Sequence, residues 1–360
     1  MSAAEARLPW RRRRLILAAL AAFLLVAAAL ACALGESPLD LSAALAGPGR
    51  DRLVLLDLRL PRVALAAIVG AALAASGCAL QALLRNPLAD PFVLGVSGGA
   101  ALGGTLSLAL GGAALADALS SWARALAPPF DTLLGGVLAR SPTTLAALVG
   151  ALLSTAVVYF AGRFGDRLST YAALLAGVVF NALAAAAITF IKALSPPERL
   201  GDLLYWLAGA LDYPEWPTVA GVVAFEALGL AAIFWRSAEL NLLSLGDEGA
   251  SSLGVEVDRA RRALFLATSL CVAAAVAVSG LVGFVGLIVP HLLRLWLGPD
   301  QRLLLPASAV GGALFLVLAD LLARLLFKPL GASTPVGVLT ALIGGPAFLW
   351  LLRRSGQRLA

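Results

Sequence analysis

Polar positions along this chain are grouped rather than spread. Between the groups lie apolar windows near 15–34, 61–83, 92–111, 143–162, 171–192, 217–235, 263–297, 303–327 and 335–352. A helix needs about 20 apolar residues to cross about 30 Å of hydrocarbon. None of the windows alternates in the two-residue rhythm of a barrel strand, and a lipid-embedded segment must satisfy its backbone internally, so they predict helices. One window does not fit. As a single helix, 263–297 would run about 52 Å, too long for one crossing and too short for two with a turn. The stretch "SGLVGFVGLIVPHLLRLWLGPD", Ser279 to Asp300, resolves this. Gly280, Gly283 and Gly286 weaken the helix where a reversal is needed, and Pro290 suits the first turn of a new one. The reading is a full span to about 281, an irregular reversal, and a short half-helix near 287–297. That half-helix carries His291, the chain's single histidine, and Arg294, which can snorkel to the headgroups.

Charge decides the number of crossings. With the reversal there are ten spans, both termini are cytoplasmic, and the inside segments hold 17 of the 27 Lys and Arg residues. Without it the split falls to 14 against 13. Cytoplasmic segments carry the basic excess, so the pattern favours ten. The expectation is an all-α polytopic membrane protein: a basic N-terminus over 1–14, one transmembrane domain over 15–352, and a cytoplasmic tail over 353–360. Residues 112–142 are too polar to cross and read as an external insertion with an amphipathic helix. Residues 237–262 form the longest cytoplasmic loop. The first apolar stretch could mimic a signal peptide, with Ala31-Cys32-Ala33 as a cleavage site, but its length is that of a span.

Composition agrees: 61% apolar, 13% charged, with a mean hydropathy of +0.93, far from the balance of a soluble domain. The formal charge of +6 sits at the ends of apolar segments rather than on one polar face, which speaks against nucleic-acid binding. Cys32, Cys78 and Cys271 are scattered in apolar runs without a CxxC, which indicates neither a metal site nor a disulfide framework. There is no GxxxxGK[ST], HExxH or GxSxG, so no nucleotide-hydrolysing loop, metal or catalytic site is expected. His291 has no carboxylate nearby in sequence and reads as a packing or capping residue rather than a catalytic one.

Four polar constellations remain. "RLPR", Arg59 to Arg62, either anchors at the interface or presents an exposed cationic pair to an acidic partner. "LRNPLADPFVLGVSGGAALG" makes a tight hairpin punctuated by Asn86-Pro87 and Asp90-Pro91. "ELNLLSLGDEGASSLGVEVDRARR", Glu239 to Arg262, holds two short amphipathic helical stretches that suit docking in a partner's groove better than a plain linker. "YWLAGALDYPEW", Tyr205 to Trp216, suits either an interfacial aromatic belt or the lining of a cavity.

At these motifs, together with "GLVGFVGLIVPHLLRL", "GPDQRLLLPASAVGGA", "LADLLARLL" and "PVGVLTALIGGPAFLWLL", the chain resembles the permease subunits of type II ATP-binding-cassette importers for iron chelates, haem and vitamin B12. The resemblance implies a ten-span subunit of the bacterial inner membrane. It pairs with a second copy, rests on two ATP-binding subunits, and receives substrate from a periplasmic substrate-binding protein. It also implies that Arg59, Arg62 and Arg324 meet acidic residues of that protein. Leu245, Gly246, Asp247, Glu248, Ala250, Leu253 and Gly254 would rest on the ATPase. Gly177, Asn181, Tyr205, Trp206, Gly209, Gly337 and Thr340 would line the pathway, and no cofactor is expected. The rival reading is a secondary transporter driven by ions, for which Glu226 and Asp320 are the intramembrane carboxylates. With one histidine and no paired acids, an intramembrane enzyme is weaker still.

Overall fold

The computed structural model describes residues 10–35, 37–111, 142–164, 167–327 and 335–356. Apart from Pro142, the insertion expected over 112–142 lies outside them, as do residues 1–9 and 357–360. Among the described residues seven helices are long and apolar enough to cross a membrane, and three shorter apolar helices accompany them. They fall on the windows read from the sequence: α1 Trp10–Ala33, α4 Leu60–Leu83, α5 Val96–Leu110, α6 Pro142–Ala161, α7 Thr170–Leu194, α9 Trp216–Trp235, α12 Val257–Ser279, α13 Val285–Leu297, α14 Gln301–Phe327 and α15 Val336–Gly356. Five further helices decorate the ends: α2 Leu41–Ala46, α3 Arg50–Leu53, α8 Pro197–Leu207 and the pair α10 Ser237–Leu243 and α11 Asp247–Ser252. A π-helical turn, Val54–Arg59, joins α3 to α4, and a two-strand hairpin, Arg163–Phe164 with Arg167–Leu168, precedes α7.

Helix α4 is the hub, buried along most of its length and packed on α9, α12, α13 and α14. Its sequence permits this because small residues recur where neighbours cross. A Cβ on Gly70 would overlap the Gly312 carbonyl of α14, and one on Gly77 would overlap the Gly286 carbonyl of α13. Without a strong hydrophobic drive between helices in lipid, such close backbone approach supplies the packing energy. The second small-residue run does the same for α5, where Gly99 meets Gly150 of α6 and Gly104 faces the Trp206 ring.

The reversal is present. Helix α12 ends at Ser279, Gly280 takes φ 62°, Phe284 takes φ 70°, and α13 begins at Val285. One detail differs from expectation, since Pro290 lies inside α13 rather than in its first turn. A proline there leaves the carbonyl four residues earlier, Gly286, without its helical donor. Gln81 of α4 answers it, its Nε2 donating to Gly286 O at 3.4 Å and to Leu287 O at 3.1 Å. Arg294 is half-buried, with its Nε and Nη2 enclosed. His291, in the interior of α13, is half-buried.

Candidate functional site

At one end of the bundle α10 and α11 step across the helix ends. Leu240, Leu243 and Ala250 are buried, while Leu245 and Leu253 are 66% and 59% exposed. The segment therefore grips the bundle with one face and offers another outward. Asp247, the first residue of α11, draws two cations. Arg85 donates to its Oδ1, and Arg261 of α12 donates to its Oδ2 at 2.8 Å. Arg85 sits at the α4 hairpin with φ 50°, a left-handed conformation uncommon for a non-glycine residue. The hydrogen bond from Arg261, with the charge of Arg85 adding, holds the Asp247 carboxyl below the ordinary carboxylate range. Arg261 also donates to Leu168 O at 3.2 Å, which ties in the strand hairpin. Between these elements opens a groove of about 1020 Å³ whose rim includes Asp247, Glu248, Glu256 and Asp258.

A second aspartate anchors the same segment. Asn241 of α10 donates Nδ2 to Asp300 Oδ1 at 2.9 Å, and its Oδ1 accepts the Gln301 N–H at 2.8 Å. Asp300 also meets Arg13 of α1 at 2.8 Å. Burial opposes ionisation of Asp300, but Asn241, the Arg302 amide and Arg13 outweigh it and hold the carboxyl below the ordinary range. The hairpin beside this end is built as expected, with Asn86 accepting from the Leu88 N–H and Asp90 from the Phe92 N–H.

The opposite end holds the arginines, and here the expectation of an exposed cationic pair fails. Arg59 and Arg62 are each 3% exposed and Arg324 is 2% exposed. Arg62 donates Nε and Nη2 to Asp320 Oδ1 at 3.1 and 2.9 Å, and Arg324 Nε lies 2.9 Å from Asp320 Oδ2. Arg59 donates to the carbonyls of Cys32, Ala33 and Ser37, and Arg324 to those of Ala31 and Leu34. Two guanidiniums thus serve the carbonyls at the α1 C-terminus, where orphan acceptors and the helix dipole favour cations. The aromatic segment joins them. The Tyr213 ring centroid lies 4.8 Å from the Arg62 guanidinium, and Trp216 Nε1 donates to Leu56 O at 3.0 Å. Tyr213 and Trp216 make these contacts while both remain partly exposed.

The expected pathway residues fall into two neighbourhoods. Gly177 is buried against Val93 and Leu94, and the half-buried Asn181 beside it accepts the Gly98 N–H and donates to Phe92 O. Gly209, Gly280, Leu281 and Gly337 meet where three helices break, with the Gly337 N–H donating to Gly209 O at 2.9 Å. Tyr205 and Trp206 flank that junction half-buried, and the buried Thr340 donates to Gly337 O. In the single chain Gly177, Gly209, Gly337 and Thr340 therefore pack against neighbouring backbone rather than facing open space. The carboxylates of the ion-coupled reading are likewise enclosed. Asp320 is held by two arginines, and Glu226 of α9 is 1% exposed beside Cys271 of α12.

A nearly all-helical bundle with small-residue crossings, a mid-chain reversal and an amphipathic step at one end is the architecture of a polytopic membrane permease. The chain belongs to the FecCD transport family, whose model matches residues 19–354. It is 41% identical over 307 residues to the hemin transport system permease protein HmuU of Yersinia pestis, covering 85% of this chain and 84% of that one. It is 38% identical to the vitamin B12 import system permease protein BtuC of Klebsiella pneumoniae, covering 98% of each. A solved structure of an inward-facing transporter, described as of the metal-chelate ABC type, superposes with a TM-score of 0.77 at 31% identity, covering 95% of this chain and 99% of that one.

Proposed function

We propose that this chain is the membrane subunit of an ATP-driven importer that moves a metal chelate, of the ferric siderophore, haem or cobalamin class, across a bacterial inner membrane. Two copies pair around a central passage, two ATP-binding subunits sit below, and a periplasmic substrate-binding protein sits above. The single supporting observation is the α10–α11 step. A chain with no nucleotide-binding loop of its own presents two exposed leucines and an acid-rimmed groove on short helices that are fastened to the bundle. In this reading ten spans place that step, and both termini, in the cytoplasm.

Transport follows alternating access. Closure of the ATP-binding subunits pushes on the 245–254 segment, the passage opens outward, and hydrolysis resets it. The passage runs beside the breaks at Gly209, Gly280 to Phe284 and Gly337, flanked by Tyr205 and Trp206. The outer arginines act as the buried support of the rim on which the binding protein sits. The test is uptake of haemin or cyanocobalamin into liposomes holding the permease and its ATP-binding subunit. Uptake is expected only with ATP and binding protein together. Uptake that persists without ATP and collapses with an uncoupler would establish the ion-coupled rival. Labelling of an introduced cysteine between Ser244 and Ser252 from the outer side of intact cells would overturn the topology.

A further inference from the structure

We propose that Asn241 is a positioning residue that carries movement of the α10–α11 step into α1 and α14, through Asp300 and Arg13. This rests on the importer reading and names a connection that reading does not supply. Helices α10 and α11 have seven and six residues, and apolar burial through Leu240, Leu243 and Ala250 is non-directional, so it fixes neither register nor tilt. Direction comes from the polar contacts. The Asp247 contacts reach the α4 hairpin through Arg85 and α12 through Arg261. They do not reach α1 or α14.

The Asn241 amide does, using both of its ends. Nδ2 holds the Asp300 carboxylate, Oδ1 holds the Gln301 N–H, and Asp300 in turn caps α14, its backbone carbonyl accepting from Leu304 at 2.9 Å and its side chain from Arg302 at 3.1 Å. Arg13 brings in α1, and the Gln301 side chain accepts from Cys78 of α4 at 3.2 Å. An amide supplies donor and acceptor on two separate atoms held in one plane, which lets one side chain bridge the Asp300 carboxylate and the Gln301 N–H. A leucine supplies neither, and an aspartate would place a second carboxylate against Asp300. Without Asn241 the step keeps its polar ties to α4 and α12 and its apolar packing on α14, and loses the directional polar tie to α14 and α1.

The experiment uses the full permease bound to its ATP-binding subunit in liposomes. Cys32, Cys78 and Cys271 are buried, so spin labels go to Arg12→Cys on α1 and, separately, to Ser252→Cys on α11. A non-hydrolysable ATP analogue should change label mobility at both positions in the otherwise unaltered chain. In Asn241→Leu the response at Arg12→Cys should fall at least five-fold while that at Ser252→Cys persists. Asn241→Gln, which keeps both amide functions and leaves the Asp300–Arg13 pair in place, should retain more of it than Asn241→Leu. An undiminished Arg12→Cys response in Asn241→Leu would overturn the inference. Loss of the ATP-binding subunit or of the Ser252→Cys response would overturn it too, because Asn241 would then serve docking or folding. No response at either label in the unaltered complex would instead remove the importer reading.

Discussion

Removing the charge of Asp320 separates a structural role of the outer arginines from a docking one. The residue is 1% exposed, and both Arg62 and Arg324 reach its carboxylate. Asparagine keeps the shape and one acceptor but leaves two guanidiniums side by side in a site closed to water. Breaking a buried ion pair by deleting one partner costs about 3–5 kcal/mol. Here one substitution breaks two pairs. The loss is offset in part because Arg62 keeps its place beside Tyr213 and Arg324 keeps the carbonyls of Ala31 and Leu34. We expect Asp320→Asn to lose about 3 kcal/mol or more. At ~2–4 °C per kcal/mol, the melting temperature in detergent should fall by about 6 °C or more.

The assay is thermal unfolding of the purified permease, followed by tryptophan fluorescence, alongside binding-protein-stimulated uptake in liposomes. Asp320→Glu, which keeps the charge, should lose less than half as much. Arg62→Gln combined with Asp320→Asn should be less damaging than the sum of the two, with a coupling of at least about 1 kcal/mol. Arg62→Glu should be the worst single change, since it sets two carboxylates together beside Arg324. The refuting result is an Asp320→Asn permease that melts like the parent yet loses stimulation by the binding protein, for then the arginines are docking groups.

Three further outcomes follow from the packing and the charges. Gly77→Val should destabilise by about 1–3 kcal/mol or block folding, because the new side chain meets the Gly286 backbone rather than a movable side chain; detergent melting and expression level check it. Asn181→Leu leaves the Gly98 N–H without its side-chain partner, while the Phe92 carbonyl keeps Ser97 Oγ, and should cost about 1–3 kcal/mol, measured by the same melt. Asp247 is held below the ordinary carboxylate range, so its contribution is complete above about pH 4 and is lost as pH falls through the lowered value. A spin label at Ser252→Cys should show constant mobility from about pH 8 to about pH 5 and loosen only below about pH 4, and Asp247→Asn should loosen it at every pH.

How far the sequence leads depends on which physics sets each feature. Lipid enforces helix on any apolar run of sufficient length, so the windows and the observed helices coincide within a few residues at most boundaries. Length alone exposed the reversal, because 263–297 fits no whole number of spans, and the glycines then located it. Burial of the arginines was not legible. In sequence Arg62 stands at the edge of an apolar run, which is where exposed anchors stand, and Asp320 is 258 positions away. A clue existed in the pairing of one intramembrane aspartate with an arginine four residues on, Asp320 and Arg324. A carboxylate that cannot be left bare in lipid needs a cation. The node at Asn241 gave no clue at all, because an asparagine between two apolar windows carries no signal until the fold brings Asp300 and Arg13 beside it. An amphipathic step can thus be anticipated from its sequence pattern, whereas the polar contacts that fasten it are set by three-dimensional convergence and are found only there.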